Sequence, residues 1–103
     1  MNQTNTPNKM TYSHTTNLFS DYKLPTGEAR YEFAQFRTRA MNLTTRELHS
    51  VWASNKNAVN DYKDTPSLQH YCITAAARRD FCAAVLNGMR GVRFDYATDS
   101  FAL

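Results

Sequence analysis

Histidines and cysteines could support catalysis or metal binding, but they are widely scattered in this sequence. His70 and Cys72 are two residues apart, and that spacing points them to different faces of a helix. His14 and His49 lie elsewhere, so no second pair completes a four-ligand zinc set. Cys72 and Cys82 would lie about 15 Å apart on one helix, beyond disulfide reach, so we expect reduced, packed thiols. Because a glycine-rich phosphate loop is also missing, the sequence predicts no catalytic residue, metal site or cofactor, and we expect a protein that is not an enzyme.

Residues 43–62 form the most specific local pattern in the chain. The run Leu43-Thr-Thr-Arg-Glu-Leu48 is followed at helical spacing by three residues of core type, Trp52, Val59 and Tyr62. This pattern resembles the helix-turn-helix of small repressors. The resemblance implies a break near residues 53–55 and then an asparagine-rich recognition helix, whose amides can pair with adenine. The nucleic-acid-binding residues that it implies are Arg46, Asn55, Lys56, Asn57 and Asn60.

The same segment also fits one unbroken helix whose asparagines face solvent. Ala53 stands where that family usually has glycine in the turn, and Ser54 stands where it has an apolar residue. At the start of the segment, Thr44 and Glu47 have the spacing of a capping box. A DNA-binding regulator is therefore the alternative function, and the continuity of the helix at residues 53–55 discriminates between the two interpretations.

Two groups of arginines are the candidates for a basic patch. Arg37, Arg39 and Arg46 surround the connection between the first two predicted helices, and Arg78 and Arg79 lie on the third. The net charge of the whole chain is only +3, which is small for a dedicated nucleic-acid binder. Taken singly, each arginine fits a solvated face with local ion pairs better than a binding site.

Aromatic residues are abundant, with six Phe, six Tyr and one Trp. We expect Trp52 to lie in the core, whereas Phe94, Tyr96 and Phe101 are harder to bury locally. Residues 92–96 alternate as a strand does, and a lone strand needs a partner. This segment could pack as an extended tail, pair with the N-terminal segment or pair across a homodimer. Exposed aromatics beside arginine are typical of protein–protein hot spots, so these three residues and the arginines are the predicted contacts with a protein partner.

Helix signals divide the 103-residue chain into three helices. The first is predicted over about 27–41, where an apolar stripe recurs at helical spacing, namely Ala29, Phe33, Phe36 and Ala40. The second runs from the cap at Thr44 to about residue 63. The third follows a Thr65 cap and Pro66, and Gly88 is the predicted left-handed cap at its end. The short connection between the second and third helices predicts an antiparallel hairpin.

We therefore predict a mainly all-α fold. Residues 27–103 form one small three-helix domain that ends in a short extended segment, and residues 1–26, which are polar, form a flexible N-terminal tail. The sequence has no apolar run near the roughly 18 residues that a membrane span needs. It also has no signal-peptide pattern, so we expect a cytoplasmic protein without membrane contact.

The predicted function is that of a small non-enzymatic regulator or inhibitor that docks on a protein partner. Small size, the polar tail, the aromatic C-terminal segment and the missing catalytic motifs support this hypothesis. The combination is common among accessory proteins of phages and plasmids. DNA remains the alternative partner.

Overall fold

The structure, a computed structural model, describes Leu24 and residues 26–103. The α-helices of this part of the chain are α1 (Gly27–Ala40), α2 (Thr45–Tyr62) and α3 (Gln69–Ala83). A 3₁₀ turn, Pro66–Leu68, leads into α3, and a π-helical turn, Ala84–Met89, continues it. Two short strands follow, β1 (Phe94–Asp95) and β2 (Ser100–Phe101). The prediction of a mainly all-α, three-helix fold is confirmed. The predicted tail, residues 1–26, lies outside the described residues except for Leu24 and Thr26.

The first helix begins at the predicted residue and buries three of the four residues of the predicted stripe, while Ala29 is half-buried. The Thr26 hydroxyl accepts a hydrogen bond from the Ala29 N–H at 3.0 Å and so caps the helix. Phe33, Phe36 and Ala40 are buried because the spacing i, i+3 and i+7 places them on one side of the helix. They face α3 and give α1 its place in the core.

The second helix is continuous, and this corrects the helix-turn-helix interpretation. The capping box at its start is confirmed, since the Thr44 hydroxyl accepts from the Glu47 N–H at 3.1 Å and a Glu47 carboxylate oxygen accepts from the Thr44 N–H at 2.8 Å. The helix then passes through residues 53–55 without a break. Alanine favours helix and no glycine opens a turn there. The Asn55 amide donates to the Val51 carbonyl one turn earlier, at 2.9 Å.

The third helix differs from its prediction at both ends. The Thr65 side chain makes no capping hydrogen bond. At the C-terminal end the chain widens into the π-helical turn, where the Arg90 N–H donates to the Val85 carbonyl at 2.9 Å. Gly91 takes the left-handed conformation, with φ of +67°, so the predicted cap at Gly88 was wrong. The helix extends beyond Gly88 because five-residue hydrogen bonds replace the expected cap.

The predicted antiparallel hairpin of α2 and α3 forms the largest helix interface of the described residues. Close to the connection, the Tyr62 and Tyr71 rings lie 6.2 Å apart. At the far end, the Arg90 side chain, which follows α3, reaches Thr45 at the start of α2. Contacts near the connection and at the open end together establish the antiparallel arrangement.

The C-terminal strand pairs with the chain's own end, which none of the three predicted arrangements anticipated. Phe94 pairs with Phe101 in an antiparallel register. Both rings are buried and meet Trp52 of α2, with centroids 6.1 and 4.9 Å from the indole. Trp52 is a core residue, as predicted. Phe94 and Phe101 complete the core, so their buried rings do not offer the predicted contact to a partner. Tyr96, in contrast, is 52% exposed.

Candidate functional site

Arg90 links the end of the π-helical turn to the α1–α2 connection. Its Nη1 donates to the Thr45 hydroxyl at 3.2 Å, and its Nη2 donates to the Met41 carbonyl at 3.4 Å. The two acceptors lie 45 and 49 residues away along the chain. These bonds fix the guanidinium beside the connection, with only part of its donor capacity used.

Three further arginines flank the same connection. Arg37 and Arg39 lie in the last turn of α1, and Arg46 lies in the first turn of α2. The Arg37 guanidinium is 4.7 Å from the centroid of the Phe33 ring, while Arg39 and Arg46 are exposed. We call Arg37, Arg39, Arg46 and Arg90 the arginine cluster.

Residues 37–47 contain one acidic side chain, Glu47. Its carboxylate accepts the Thr44 N–H in the capping box. Hydrogen bonds with the Thr44 backbone and side chain hold the pKa of Glu47 below its ordinary value of 4.5. The carboxylate therefore stays ionised and serves the helix start. Residues 37–47 thus hold three arginines and one carboxylate, and Arg90 adds a fourth guanidinium beside the connection.

Two exposed methionines accompany these arginines. Met41 follows α1 and is 41% exposed, and Met89 precedes Arg90 and is 54% exposed. Met89 ends the π-helical turn, and most of its side chain is open to solvent. An unbranched thioether is a common adaptable contact at binding surfaces. The surface around the arginine cluster thus combines guanidinium groups with flexible, apolar methionine side chains.

The residues implied by the helix-turn-helix resemblance are distributed differently. Asn55 is partly buried and bonded to its own helix. Lys56 donates to the Asp99 carbonyl at 2.6 Å and pairs with the Asp99 carboxylate at 3.1 Å. Asn57 and Asn60 are exposed on α2. Two of the implied residues therefore serve the fold, and only Arg46 belongs to the arginine cluster.

The second predicted arginine group divides into two environments. Arg79 Nε pairs with the adjacent Asp80 carboxylate at 2.9 Å, as expected of a local ion pair. The Arg78 guanidinium lies 5.0 Å from the centroid of the Phe36 ring. Arg78 also lines an open cleft of about 430 Å³ between α1 and α3. Other side chains of this cleft are Glu28, Glu32, His70, Tyr71 and Thr74.

Sequence reasoning missed the cleft and half of the surface around the arginine cluster. Glu28 and Glu32 have a readable signal, the i, i+4 spacing that puts both on one face of a helix. Nothing local indicates that Arg78 faces them, because that depends on how α1 packs on α3. Arg90 and Met89 were missed for a similar reason, since the π-helical turn that directs them has no sequence signature here.

Other site classes find little support in the described part of the chain. No group of three or more His, Cys, Asp or Glu side chains there could hold a metal ion. Cys72 and Cys82 are both free thiols, as predicted. Burial raises the pKa of Cys82 to about 12, so this thiol is unreactive near neutral pH. Among the helices described, none is both long enough and apolar enough to cross a membrane.

Comparisons with models of known protein families, with curated proteins and with solved structures found no match to this chain.

Proposed function

We propose that this chain is a small regulator or inhibitor that acts by docking, not by catalysis, on an acidic surface of a partner protein. The arginine cluster is the docking surface, and Met41 and Met89 supply its apolar contacts. The observation that carries the proposal is that Arg90 is hydrogen-bonded beside the α1–α2 connection, which Arg37, Arg39 and Arg46 flank in the sequence. Met41 and Met89, both exposed, are neighbours of these residues along the chain.

Helix stability explains only part of this charge. Arg37 and Arg39 lie at the C-terminal end of α1, where the helix dipole favours cations. Arg46 lies at the N-terminal end of α2, where the same dipole disfavours a cation. Its position is therefore better explained by binding than by folding.

The composition of the surface favours a protein partner over nucleic acid. Arginine and methionine are both enriched at protein interfaces, where lysine is depleted, and the arginine cluster contains no lysine. Exposed methionines gain little from a phosphate backbone. The continuous α2 also lacks the turn by which a helix-turn-helix would enter the major groove.

Arg90 is positioned for binding before a partner arrives. Two hydrogen bonds restrain its side chain, which reduces the conformational entropy lost on association. Remaining N–H groups of the guanidinium can pair with a carboxylate of the partner as a planar fork. We expect Arg39 and Arg46, which are exposed, to steer the encounter by long-range attraction.

Charge reversal of the two exposed arginines tests the proposal. Tagged wild-type protein and the R39E/R46E variant are compared in pull-downs from nuclease-treated lysate, with captured proteins quantified by mass spectrometry. We expect a stoichiometric acidic partner on the wild type and a loss of about tenfold or more on the variant. Circular dichroism checks that the variant keeps its helices.

The matched control is R30E/K63E, which changes the net charge equally at two exposed positions, at the ends of α1 and α2 opposite to Arg39 and Arg46. This control should retain the partner. Equal capture by wild type and R39E/R46E would contradict the proposal, as would equal loss in the control. Capture that disappears on nuclease treatment, together with a mobility shift of duplex DNA at low salt, would favour a nucleic-acid partner.

A further inference from the structure

Arg78 is a half-buried arginine whose Nε has no hydrogen-bond partner among the described residues. The Phe36 ring beneath its guanidinium, at 5.0 Å, stabilises the positive charge. A ring face does not replace a hydrogen-bond acceptor for a shielded N–H, and leaving such a donor unpaired is unfavourable. The planar guanidinium matches a carboxylate, which would accept hydrogen bonds from the Nη groups of Arg78.

The cleft that Arg78 lines has an acidic opposite wall. Glu28 and Glu32 both line it from α1 and are exposed. Two carboxylates and one guanidinium therefore line the cleft. A simple anion that approaches Arg78 is therefore repelled from the opposite wall. A ligand that carries a cationic group beside its carboxylate satisfies both walls.

The cleft also offers an aromatic surface. The rings of His70 and Tyr71 both line it and lie 4.0 Å apart. The volume of about 430 Å³ falls within the range of small-ligand sites. An apolar or aromatic side chain of a ligand can pack on these rings while its charged groups reach the two walls.

We propose that the cleft between α1 and α3 binds a small zwitterionic ligand of the amino-acid or short-peptide class. Its carboxylate pairs with Arg78, and its ammonium group lies between Glu28 and Glu32. This site is independent of the proposed docking surface. It lies at the N-terminal half of α1, whereas the arginine cluster lies at the C-terminal end of the same helix.

Nuclear magnetic resonance of the ¹⁵N-labelled full chain tests the site with three simple probes. Glycyltyrosine carries both charges and an aromatic ring, acetate carries only the carboxylate, and methylammonium carries only the cation. We expect millimolar glycyltyrosine to shift the Arg78 Nε–H resonance and the Thr74 amide. The two single-charge probes should bind about tenfold more weakly or less. Free tyrosine, titrated alongside, distinguishes an amino acid from the end of a peptide, and binding of either supports the proposal.

Variants separate binding from folding, with the Thr74 amide as reporter. R78Q should weaken glycyltyrosine binding about tenfold or more, because it removes a charge-assisted hydrogen-bonded pair. E28Q/E32Q should weaken glycyltyrosine and strengthen acetate, since the repulsion of anions disappears. A merely structural role of these exposed residues would not produce opposite signs. R93Q, an exposed arginine outside the cleft, should change neither.

Three results would overturn the proposal. The first is no shift of either reporter by glycyltyrosine or tyrosine at millimolar concentration. The second is equal affinity for acetate and glycyltyrosine. The third is E28Q/E32Q moving both affinities in the same direction. If R78Q fails to fold, the E28Q/E32Q comparison decides alone.

Discussion

Two aromatic clusters stabilise the molecule, and the chain reaches them in different ways. The α1–α3 cluster consists of Phe33, Phe36 and Phe81, whose ring centroids lie 6.1–6.3 Å apart. Its members belong to helices that each have their own sequence signals. The sequence of each helix places its apolar residues on one face, the stripe on α1 and the apolar side of α3. This cluster forms when the two faces pack together.

The second cluster consists of Trp52, Phe94 and Phe101, with the closest centroids 4.8 Å apart. We call it the hairpin cluster because β1 and β2 form a β-hairpin. It depends on two strands of two residues each, and so short a pair is not stable on its own. The strands gain stability by burying Phe94 and Phe101 against α2. The buried indole N–H of Trp52 also has no acceptor among the described residues, and an unpaired buried donor is unfavourable.

This difference implies a hierarchy of stability. Loss of the α1–α3 cluster removes the contact that joins α1 to the pair of helices α2 and α3. We expect loss of the hairpin cluster to release a short C-terminal segment from α2 and to leave the three helices packed. Release of the β1–β2 segment alone requires less free energy than global unfolding.

The largest expected effect is that of Phe81→Ala. Phe81 is 2% exposed and contacts both α1 rings, so truncation leaves a cavity at the centre of the core. We expect the free energy of unfolding to fall by about 3–5 kcal/mol, measured by urea denaturation with circular dichroism. Tyr31→Ala is the matched control, since Tyr31 lies on α1 and is 64% exposed. It should cost about 0.5 kcal/mol or less, and a similar loss in both variants would refute the assignment of the core.

Phe101→Ala should have an intermediate effect and a different signature. We expect a loss of about 1–3 kcal/mol, because the hairpin can detach before the cavity cost is reached in full. Trp52 is the only tryptophan in the chain, so its fluorescence reports this region. Its emission should shift to the red as the indole meets water, while helical circular dichroism changes little.

The hierarchy is wrong if Phe101→Ala unfolds the helices as completely as Phe81→Ala does. In that case the two clusters would form one cooperative unit. Coincidence of the fluorescence and circular-dichroism transitions in the variant would show it.

The contrast between the clusters also explains how much of the fold could be read from the sequence. The capping box at Thr44 and the stripe through Phe33 and Phe36 are local patterns with a single structural meaning, and both were predicted correctly. The strand over Phe94 was recognised by its period of two. Its partner was not, because two residues at the chain's end carry no periodic signal and their pairing is decided by burial against Trp52.

The candidate sites show the same contrast between local sequence patterns and contacts that depend on tertiary packing. Arg37, Arg39 and Arg46 are near one another in sequence and were identified as a basic patch. Arg90 joins them only through hydrogen bonds that span 45 and 49 residues. The cleft at Arg78 likewise requires α1 to pack on α3. Local spacing predicts which side chains share a helix face, and tertiary packing decides which faces meet.

The smallest expected effect is that of Lys56→Gln, which tests what holds the β1–β2 hairpin against α2. Lys56 Nζ pairs with the Asp99 carboxylate at 3.1 Å and lies 5.1 Å from the centroid of the Trp52 ring. The Asp99 side chain is 52% exposed, so solvent screens the pair, and we expect a loss of about 1 kcal/mol or less that shrinks at high salt. Asp99→Asn completes a double-mutant cycle, since asparagine tolerates the φ of +53° at this position. A coupling energy as large as the effect of Phe101→Ala would mean that the ion pair, and not aromatic burial, holds the hairpin in place, and the hierarchy of the two clusters would then depend on salt.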